Sequence, residues 1–260
     1  MASGLKNPFA SHQHKAADDF DLTIANILVP DRLKDLCPAM PDAPDFKQDN
    51  LGEQLFKIRL AQSDAVREAA TLLVLKRDAV RGYKAGEIHQ EPNRITLLAH
   101  QGDEVVGSLN IGYDSPEGLC ADARYRQEID ALRAQGCIVG EITKLAIDEN
   151  MGYKQVLAGM INIAYLYGLI HGVTDAVIEV TQRHRSFYER MLDFRQIGGE
   201  RFYAASNTHV VLMHVKLAHI TERIESVGGK RSACKERSIY PYFFRPKDQE
   251  GIMQRLRGEG

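Results

Sequence analysis

The feature that most constrains the fold is a strand–helix–strand pattern between residues 138 and 181. Residues 138–148 are apolar on both faces apart from a few polar insertions, which is typical of a strand at the centre of a sheet. Residues 153–170 are apolar almost all round and have the length of a buried helix. Residues 176–181 favour a second central strand. This order predicts a right-handed crossover that joins two parallel neighbours in one sheet.

Shorter patterns on either side predict the remaining elements. Alternation with period two is typical of a half-buried strand, and an apolar stripe of period 3.6 is typical of a helix. The predicted strands cover residues 54–60, 94–99, 104–113 and 210–217, and the predicted helices cover residues 63–80, 121–135 and 185–192. The resulting order, β-α-β-β-α-β-α-β-α-β, is that of an α/β domain whose mixed sheet is flanked by helices.

These elements define a central domain over residues 53–220, between two segments of different composition. Residues 1–52 are rich in Pro, Asp and Lys, which predicts a loosely ordered leader with one short helix over residues 20–27. Residues 221–260 form a charged C-terminal extension. Its aromatic patch predicts a segment that either packs back onto the domain or serves as a docking surface. The patch consists of Tyr240, Tyr242, Phe243 and Phe244.

Composition excludes several classes of protein. A formal net charge of −2 over 260 residues does not fit a strongly basic nucleic-acid-binding protein. No apolar run reaches the roughly 18 residues that a membrane span needs, and the N-terminus lacks the layout of a secretion signal. The four cysteines and nine histidines show no paired or metal-binding spacing. The sequence therefore predicts a cytoplasmic protein with reduced thiols and no bound metal.

Polar side chains inside the central strand are the first candidates for chemistry. Alternation places Glu141, Thr143 and Leu145 on one face of that strand and Lys144 on the other. A buried carboxylate is costly unless it is paired or has a chemical role. Two interpretations of Glu141 stay open. One is an ion pair within the fold, with Lys144 or a helix arginine as partner, and the other is a general base that takes a proton from an amine.

A second group of polar residues lies where the strand over residues 176–181 runs into the next helix. Tyr188 has two interpretations, a proton donor to a departing thiolate and a tyrosine of the core. Arg183 and His184 crowd the entrance of the helix, at the end of a parallel strand, where α/β folds bind ligands. They favour a phosphate or an acidic partner, and the alternative is a solvated basic turn.

Together the two groups resemble one family. The segment Glu141-Ile142-Thr143-Lys144 is similar to a Glu-x-Ser-Arg pattern, and residues 187–194 are similar to the GNAT segment that supplies a tyrosine proton donor. With the order of elements over residues 54–217, they resemble the N-acyl amino acid synthases, GNAT-fold relatives of the acyl-homoserine-lactone synthases. The resemblance implies a GNAT-like acyltransferase fold, with a mixed central sheet whose parallel central strands splay apart. It also implies transfer of a fatty acyl group from the phosphopantetheine thioester of an acyl carrier protein to the α-amino group of a free amino acid, with no permanently bound cofactor.

The resemblance implies roles for individual residues as well. Glu141 becomes the base and Tyr188 the proton donor. The residues implied to bind substrate are Thr143, Lys144, Leu145, Ala146 and Ile147 in the strand, Lys76 and Arg77 in the first helix, and Arg183 and His184. Lys76 and Lys144 stand where arginine is usual, so a point charge replaces a bidentate fork at both positions. Asp193 stands where glycine is usual.

The turn after the central strand bears on the donor. GNAT enzymes that use coenzyme A hold its pyrophosphate with a glycine-rich turn at a helix N-terminus. Here the turn over residues 148–153 contains two carboxylates, Asp148 and Glu149, and a single glycine, Gly152. Negative charge at this position repels a pyrophosphate. The turn therefore favours an acyl-carrier-protein donor, with acyl-CoA as a second donor.

Three alternatives stay open at this point. The first is a short-chain GNAT acetyltransferase that uses acetyl-CoA, and the second is a non-catalytic thioester-binding regulator on the same fold. The third is a lactone synthase, which differs in whether the product cyclises. The acceptor amino acid, the acyl length, membrane contact and the oligomeric state are open as well.

Overall fold

The structure, a computed structural model, describes residues 23–29, 54–61, 71, 93–148, 154–204, 207–231 and 236–257. Its strands are β1 (Thr23–Val29), β2 (Gln54–Leu60), β3 (Arg94–Gln101), β4 (Glu104–Tyr113), β5 (Val139–Ile147), β6 (Asp175–Thr181), β7 (Arg195–Gln196), β8 (Arg201–Tyr203) and β9 (Thr208–Lys216). Its helices are α1 (Asp122–Ala134), α2 (Lys154–Ile170), α3 (Gln182–Leu192), α4 (Leu217–Val227) and α5 (Pro246–Arg257). A 3₁₀ turn, Tyr240–Tyr242, lies between α4 and α5.

The strands form one mixed sheet in the order β1-β2-β3-β4-β5-β6-β9-β7, with β8 also paired to β9. β5 and β6 are parallel, and the other pairs are antiparallel. Because α2 connects β5 to β6, the predicted strand–helix–strand unit is confirmed, with its strands as parallel neighbours. The predicted strands over residues 94–99 and 104–113 are β3 and β4, which form a hairpin whose turn contains Gly102, with a φ of 58°.

The two faces of the sheet carry cores of different size. On one face, called the α2 side below, α2 packs with α3, α4 and α5, and every residue from Lys154 to Gly168 is buried. Burial on all sides explains why the sequence of α2 shows no polar face. On the other face, called the α1 side, Tyr125 and Ile129 of α1 form a smaller cluster with strand residues. No helix in the described part of the chain is long and apolar enough to cross a membrane.

A β-bulge interrupts β5 at Lys144. Asn110 of β4 pairs with Thr143, but Ser108 pairs with Ala146, so two residues of β5 stand opposite one residue of β4. The φ of Lys144 is 50°, in the left-handed region that non-glycine residues rarely adopt. The bulge therefore resets the alternation of side chains along the most central strand.

The reset corrects the predicted faces of β5. Leu145 and Ile147 pack against the main core together with Ile142, on the α2 side. The prediction that Leu145 shares a face with Glu141 and Thr143 is therefore wrong. Alternation assumes an unbroken pleat, and one extra residue inverts the face of every residue that follows it.

β5 and β6 part beyond Ile142 and Ile178, the last residues that pair between them. β5 continues to Ile147 against β4, and β6 continues to Thr181 against β9. The carboxyl ends of these parallel strands therefore enclose a wedge, which we call the split. Its walls are residues 143–147 of β5 and residues 179–181 of β6. The predicted splay of the central strands is confirmed.

Within the predicted leader, residues 23–29 form the strand at one end of the sheet order. The prediction of a helix over residues 20–27 is wrong over its described part, because β1 pairs with β2 along its length. The residues of β1 are mainly apolar and partly β-branched, and such a short run lacks a period of its own. Pairing with a neighbouring strand decides its conformation.

The predicted helices agree with the structure where it describes them. The helix over residues 121–135 is α1, and Gly136 follows its end with a φ of 82°. The helix over residues 185–192 is the greater part of α3. The first helix, predicted over residues 63–80, lies outside the described residues apart from Thr71, which is helical.

The aromatic patch of the C-terminal extension packs back onto the domain, as one of the two predicted alternatives has it. Tyr240 is 0% exposed and Phe243 is 1% exposed. The Tyr240 hydroxyl donates a hydrogen bond of 2.8 Å to the carbonyl of Leu192. Neither α4 nor α5 was predicted from the sequence, and α4 runs across the predicted domain boundary at residue 220.

Candidate active site

Glu141 is held inside the fold by three donors. Its carboxylate accepts hydrogen bonds from the Arg94 guanidinium, from the backbone N–H of Cys120 at 2.7 Å and from that of Ala121 at 3.1 Å. The residue is 2% exposed. Of the two interpretations above, the ion pair is present, but its partner is Arg94 on β3. The suggested partners, Lys144 and a helix arginine, are wrong.

The two backbone donors belong to the start of α1. The first N–H groups of a helix have no partner within the helix, and a polar side chain usually caps them. Ala121 occupies the N-cap position and offers no such side chain. The N–H groups of the first turn of α1 bond instead to the backbone carbonyls of residues 119–121. Glu141 accepts the two N–H groups just before them, so it ties the turn that enters α1 to β5 beside the split.

A glycine makes room for this arrangement. Gly112 of β4 stands directly opposite Glu141 in the sheet. A Cβ atom at Gly112 would lie 2.8 Å from Nη1 of Arg94, closer than real Cβ contacts, and 3.1 Å from Cγ of Glu141, closer than most of them. The ion pair therefore depends on the absence of a side chain at this position.

A second arginine–carboxylate pair stands on the β6 wall of the split. Glu179 is the first residue of β6 beyond the pairing with β5, and it accepts two hydrogen bonds from Arg124 of α1. The distances are 2.6 Å from Nε to Oε1 and 2.5 Å from Nη2 to Oε2. These bonds raise the pKa of the Arg124 guanidinium above its ordinary value. The guanidinium also lies over the Tyr203 ring, 3.9 Å from its centroid.

The β5 wall of the split is small and polar on the α1 side. Thr143 is half-buried and stands next to Asn110, which accepts a 3.1 Å hydrogen bond from Thr96. Ala146 is buried on the same side, next to Ser108. The Ser108 hydroxyl is buried and makes no hydrogen bond within the described residues. An extended ligand along β5 would therefore meet little steric bulk on this side.

Tyr188 lies on the other side of the sheet. Its ring is half-buried against the main core, edge-on to Phe187 and Phe194 with centroid distances of 5.2 Å and 6.0 Å. Asp193, where a glycine is usual, ends α3 in the left-handed region with a φ of 57°. Because the side chain of Glu141 is on the α1 side, the structure does not bring the two predicted catalytic residues together on one face. They lie on opposite sides of the sheet.

The basic residues at the entrance of α3 follow directly on β6. Arg183 is exposed, and the ring Nδ1 of His184 is 3.0 Å from the hydroxyl of Thr181, the last residue of the strand. The sequence-predicted Lys76 and Arg77 lie outside the described residues, as does the turn over residues 149–153. Asp148 is described, and its backbone N–H donates to the carbonyl of Val106 at 2.8 Å.

Comparison with known proteins identifies the family to which this chain belongs. The family model for N-acyl amino acid synthase FeeM matches residues 70–216, more than half of the chain. The chain belongs to the N-acyl amino acid synthase family. It is therefore an acyltransferase, and its fold is that of the GNAT enzymes. Comparison with curated protein sequences returns no match.

The solved structure of one relative supports the fold, and two further solved structures show weaker similarity. FeeM, an N-acyl amino acid synthase from uncultured soil microbes, is 22% identical, with a TM-score of 0.60 over 64% of this chain and 93% of that one. A putative N-acetyltransferase from Lactobacillus plantarum is 19% identical, with a TM-score of 0.45 over 62% and 98% of the two chains. The AHL synthase LasI is 13% identical, with a TM-score of 0.42 over 63% and 91%.

In this member of the N-acyl amino acid synthase family, an apolar cavity of about 40 Å³ lies beneath α2. Ile142, at the root of the split, lines it together with Ala164 of α2 and Leu192 of α3. Ile220 of α4 closes the far side. The cavity adjoins the α2 side of β5 and β6, so apolar space begins where the two strands part.

Sequence reasoning missed two parts of this family member's site. Glu179 was missed although it carries the same signal as Glu141, a carboxylate within an apolar strand, and that signal could have identified it. Arg94 carries no such signal, because it stands at the start of a strand where an exposed arginine is ordinary. Only the antiparallel register that places Arg94 beside Gly112 shows its role.

Proposed function

We propose that this protein transfers a fatty acyl group from an acyl-carrier-protein thioester to the α-amino group of an amino acid. The split between β5 and β6 carries the proposal. Two parallel strands that separate at their carboxyl ends offer backbone edges along which an extended pantetheine arm adds like a strand. Membership of the N-acyl amino acid synthase family supports the amide product.

The acyl thioester lies along residues 143–147 in this proposal. The backbone N–H groups of that stretch stabilise the oxyanion of the tetrahedral intermediate. The amine nitrogen of the acceptor attacks the thioester carbonyl carbon from the α1 side, where Thr143 and Ala146 leave room. A C–N bond forms, and the C–S bond then breaks to release the pantetheine thiolate.

Two residues move the protons. Glu141 accepts the proton that the amine loses, through an intervening water, because its carboxylate is buried behind Arg94 and the first turn of α1. Tyr188 gives its phenolic proton to the thiolate from the α2 side. Their location on opposite faces suits these roles, because the attacking amine and the leaving thiolate lie on different sides of the carbonyl carbon.

Charge supports a carrier-protein donor. Arg183 is exposed at the entrance of α3, where it would attract the phosphate of a phosphopantetheine arm or the acidic surface of its carrier. Asp148 directly follows β5, and Glu149 follows it in the sequence, so the position at which coenzyme A needs neutral glycines carries negative charge. A single phosphate farther out avoids that repulsion.

The acyl chain enters the apolar space on the α2 side. Its first carbons pass Ile142 and Leu145, which face that side after the bulge. The cavity of about 40 Å³ beneath α2 receives about one methylene-sized group as it stands, since a water molecule alone takes about 30 Å³ of liquid. Longer chains require the side chains around Ala164 to move.

Competition between donors and acceptors tests the function. Purified protein is given acyl thioesters from acetyl to palmitoyl, on acyl carrier protein or on coenzyme A, with a panel of amino acids and simple amines. Mass spectrometry should detect N-acyl amino acids, with the highest kcat/KM for long-chain carrier-protein thioesters. Transfer from acetyl-CoA alone would show the short-chain acetyltransferase instead, and a cyclised product would show a lactone synthase.

A further inference from the structure

We propose that Arg124 recognises the α-carboxylate of the acceptor, and that Glu179 positions the Arg124 guanidinium for that contact. The inference rests on the proposed function, because it takes the acceptor to be an amino acid. It adds a specificity-determining residue on α1 and a positioning residue on β6, neither of which carries out a proton transfer in the mechanism above.

The position of the pair is the first argument. Glu141 pairs with Val177, so alternation along β6 places the side chain of Glu179 on the same side of the sheet as those of Glu141 and Thr143. Ile178 is the last residue paired with β5, and Glu179 is therefore the first on the open wall of the split. The Arg124 guanidinium bound to it lies on the side from which the amine attacks.

The unused donors of Arg124 are the second argument. A guanidinium has five N–H donors, and Arg124 spends one from Nε and one from Nη2 on Glu179. Within the described residues its Nη1 donates to nothing, and the side chain is 18% exposed. The Tyr203 ring and the Glu179 carboxylate fix the plane of the fork. An oriented fork with free donors is suited to binding a carboxylate.

Two neighbouring groups show that this openness is not general. The Glu141 carboxylate has three donors, and its side chain is 1% exposed. Arg133, on the same helix as Arg124, donates from Nε, Nη1 and Nη2. The carboxylates that Arg133 binds belong to Asp114, Asp122 and Asp130. This protein therefore already contains one guanidinium that binds more than one carboxylate, which is what Arg124 would do with Glu179 and the acceptor.

Kinetics with matched acceptors test the assignment. Each variant is assayed with an amino acid and with its α-amide, which keeps the amine and the side chain but lacks the carboxylate. For Arg124→Gln, we expect kcat/KM for the amino acid to fall about 10- to 100-fold, mainly through KM, as the loss of a charged hydrogen-bonded pair implies. The value for the α-amide should stay within about twofold of wild type, so the preference for the amino acid disappears.

Three further variants make the test selective. Arg126→Gln removes an exposed arginine two positions along α1 and should leave the preference unchanged. Arg124→Lys keeps the charge without the fork and should retain part of the preference. Glu179→Gln should raise KM for the amino acid several-fold without changing the amide, and Glu179→Asp should recover part of that loss. An equal loss on both acceptors in Arg124→Gln would overturn the proposal, because it would show a purely structural role.

Binding in the absence of a donor separates this inference from the proposed function. Calorimetric titration of the full chain with the amino acid should give binding that Arg124→Gln weakens about 10-fold or more and Arg126→Gln does not. If this holds while no donor supports acyl transfer, the inference stands and the proposed function falls. Absence of amino acid binding to wild type overturns the inference. So does a preference that survives Arg124→Gln and is lost in Lys76→Gln or Arg77→Gln. Thermal unfolding shows whether each variant is folded. If Arg124→Gln does not fold, Arg124→Lys replaces it in these tests.

Discussion

The two sides of the β5–β6 split are built from opposite materials. On the α1 side, the carboxylates Glu141 and Glu179 each bind an arginine. Glu141 also holds the turn that enters α1, and Glu179 holds Arg124 in the first turn of that helix. On the α2 side, the same strands present Ile142, Leu145 and Ile178 to an apolar core. The difference matches a reaction with one charged substrate and one apolar substrate. A charged group is costly to bury among apolar side chains, whereas an acyl chain is stabilised there.

The largest expected effect is a fall in kcat when Glu141, on the charged side, is replaced. Glu141→Gln should lower kcat by about 100- to 10,000-fold, the range of a lost general base, since an amide cannot accept the proton of the amine. Turnover per folded molecule is the measurement, with the folded fraction taken from circular dichroism. The size of the side chain is kept, but its amide NH2 cannot accept the bonds that the carboxylate accepts, and Arg94 loses its ionic partner. We therefore also expect a fall in the free energy of unfolding, which is why turnover is expressed per folded molecule.

A matched variant separates catalysis from architecture at Glu141. Glu128→Gln removes another carboxylate from the α1 side, one that pairs with Arg201 at 2.6 Å. It should lower the free energy of unfolding without an effect on turnover per folded molecule. If Glu141→Gln behaves the same way and transfers acyl groups at the wild-type rate, Glu141 is only the anchor of α1. The non-catalytic interpretation of that residue would then hold.

Sequence patterning predicts the parallel pair β5 and β6 well because that pair depends on local composition, whereas the splay between the two strands was implied by the family resemblance. The apolar strands β5 and β6 and the apolar helix between them leave one arrangement, parallel neighbours joined by a crossover. The bulge could not be predicted in the same way. Lys144 adopts a left-handed conformation that glycine or asparagine usually signals, so neither its side chain nor its neighbours announce the extra residue.

The partners across the sheet were out of reach for a different reason. Arg94 and Glu141 are 47 positions apart, and only the registers of β3, β4 and β5 together bring them into contact. The strand β1 escaped prediction because its pairing with β2, and no internal period, defines it. Local patterns therefore predicted which residues are polar within the core, and tertiary pairing determined what those residues bind.

The next largest effect is a fall in kcat/KM for long-chain donors when the apolar side is filled. Ala164 lines the cavity beneath α2, and Ala164→Phe should fill it. If the acyl chain extends into this space, about three methylenes lose contacts worth about 0.8 kcal/mol each, which is a fall of about 50-fold in kcat/KM. This loss should affect long-chain donors, whereas acetyl and butyryl donors keep their rates.

A control on the same helix tests the direction of the chain. Ala158 is also buried on α2 but does not line the cavity. Ala158→Phe should cost stability through overpacking without a change in the order of preferred chain lengths. Equal effects of both variants on long and short donors would mean that the acyl chain follows another path.

A smaller effect is expected from added volume on the charged side, where the side chains around Gly112 are closely packed. Gly112→Ala would place a Cβ 2.8 Å from Nη1 of Arg94, so the ion pair with Glu141 must shift. We expect the free energy of unfolding to fall by about 1–3 kcal/mol, as overpacking of a core does. Urea unfolding measures it, and Gly199→Ala is the control, since nothing lies within 4 Å of a Cβ at that position.

The smallest effect concerns the paired end of β6, where Asp175 contrasts with Glu179 at the open end. Burial alone would raise the pKa of the Asp175 carboxyl, but hydrogen bonds from His214, Thr174 and Cys137 outweigh it and hold the pKa below its usual value. A carboxyl with a lowered folded-state pKa stabilises the fold above its unfolded pKa of about 3.9, and that stability is lost as the pH falls through the folded-state value.

Asp175→Asn should therefore lower the free energy of unfolding by about 1 kcal/mol near neutral pH, and the difference from wild type should shrink as the pH falls below about 4. Urea unfolding of both proteins across this range provides the measurement. Asp103→Asn, an exposed change in the β3–β4 turn, should show no such trend. A difference for Asp175→Asn that stays constant down to the acid limit would mean that the loss comes from altered packing. The ionised carboxylate would then not be what holds His214 and Thr174 at the closed end of the strand pair.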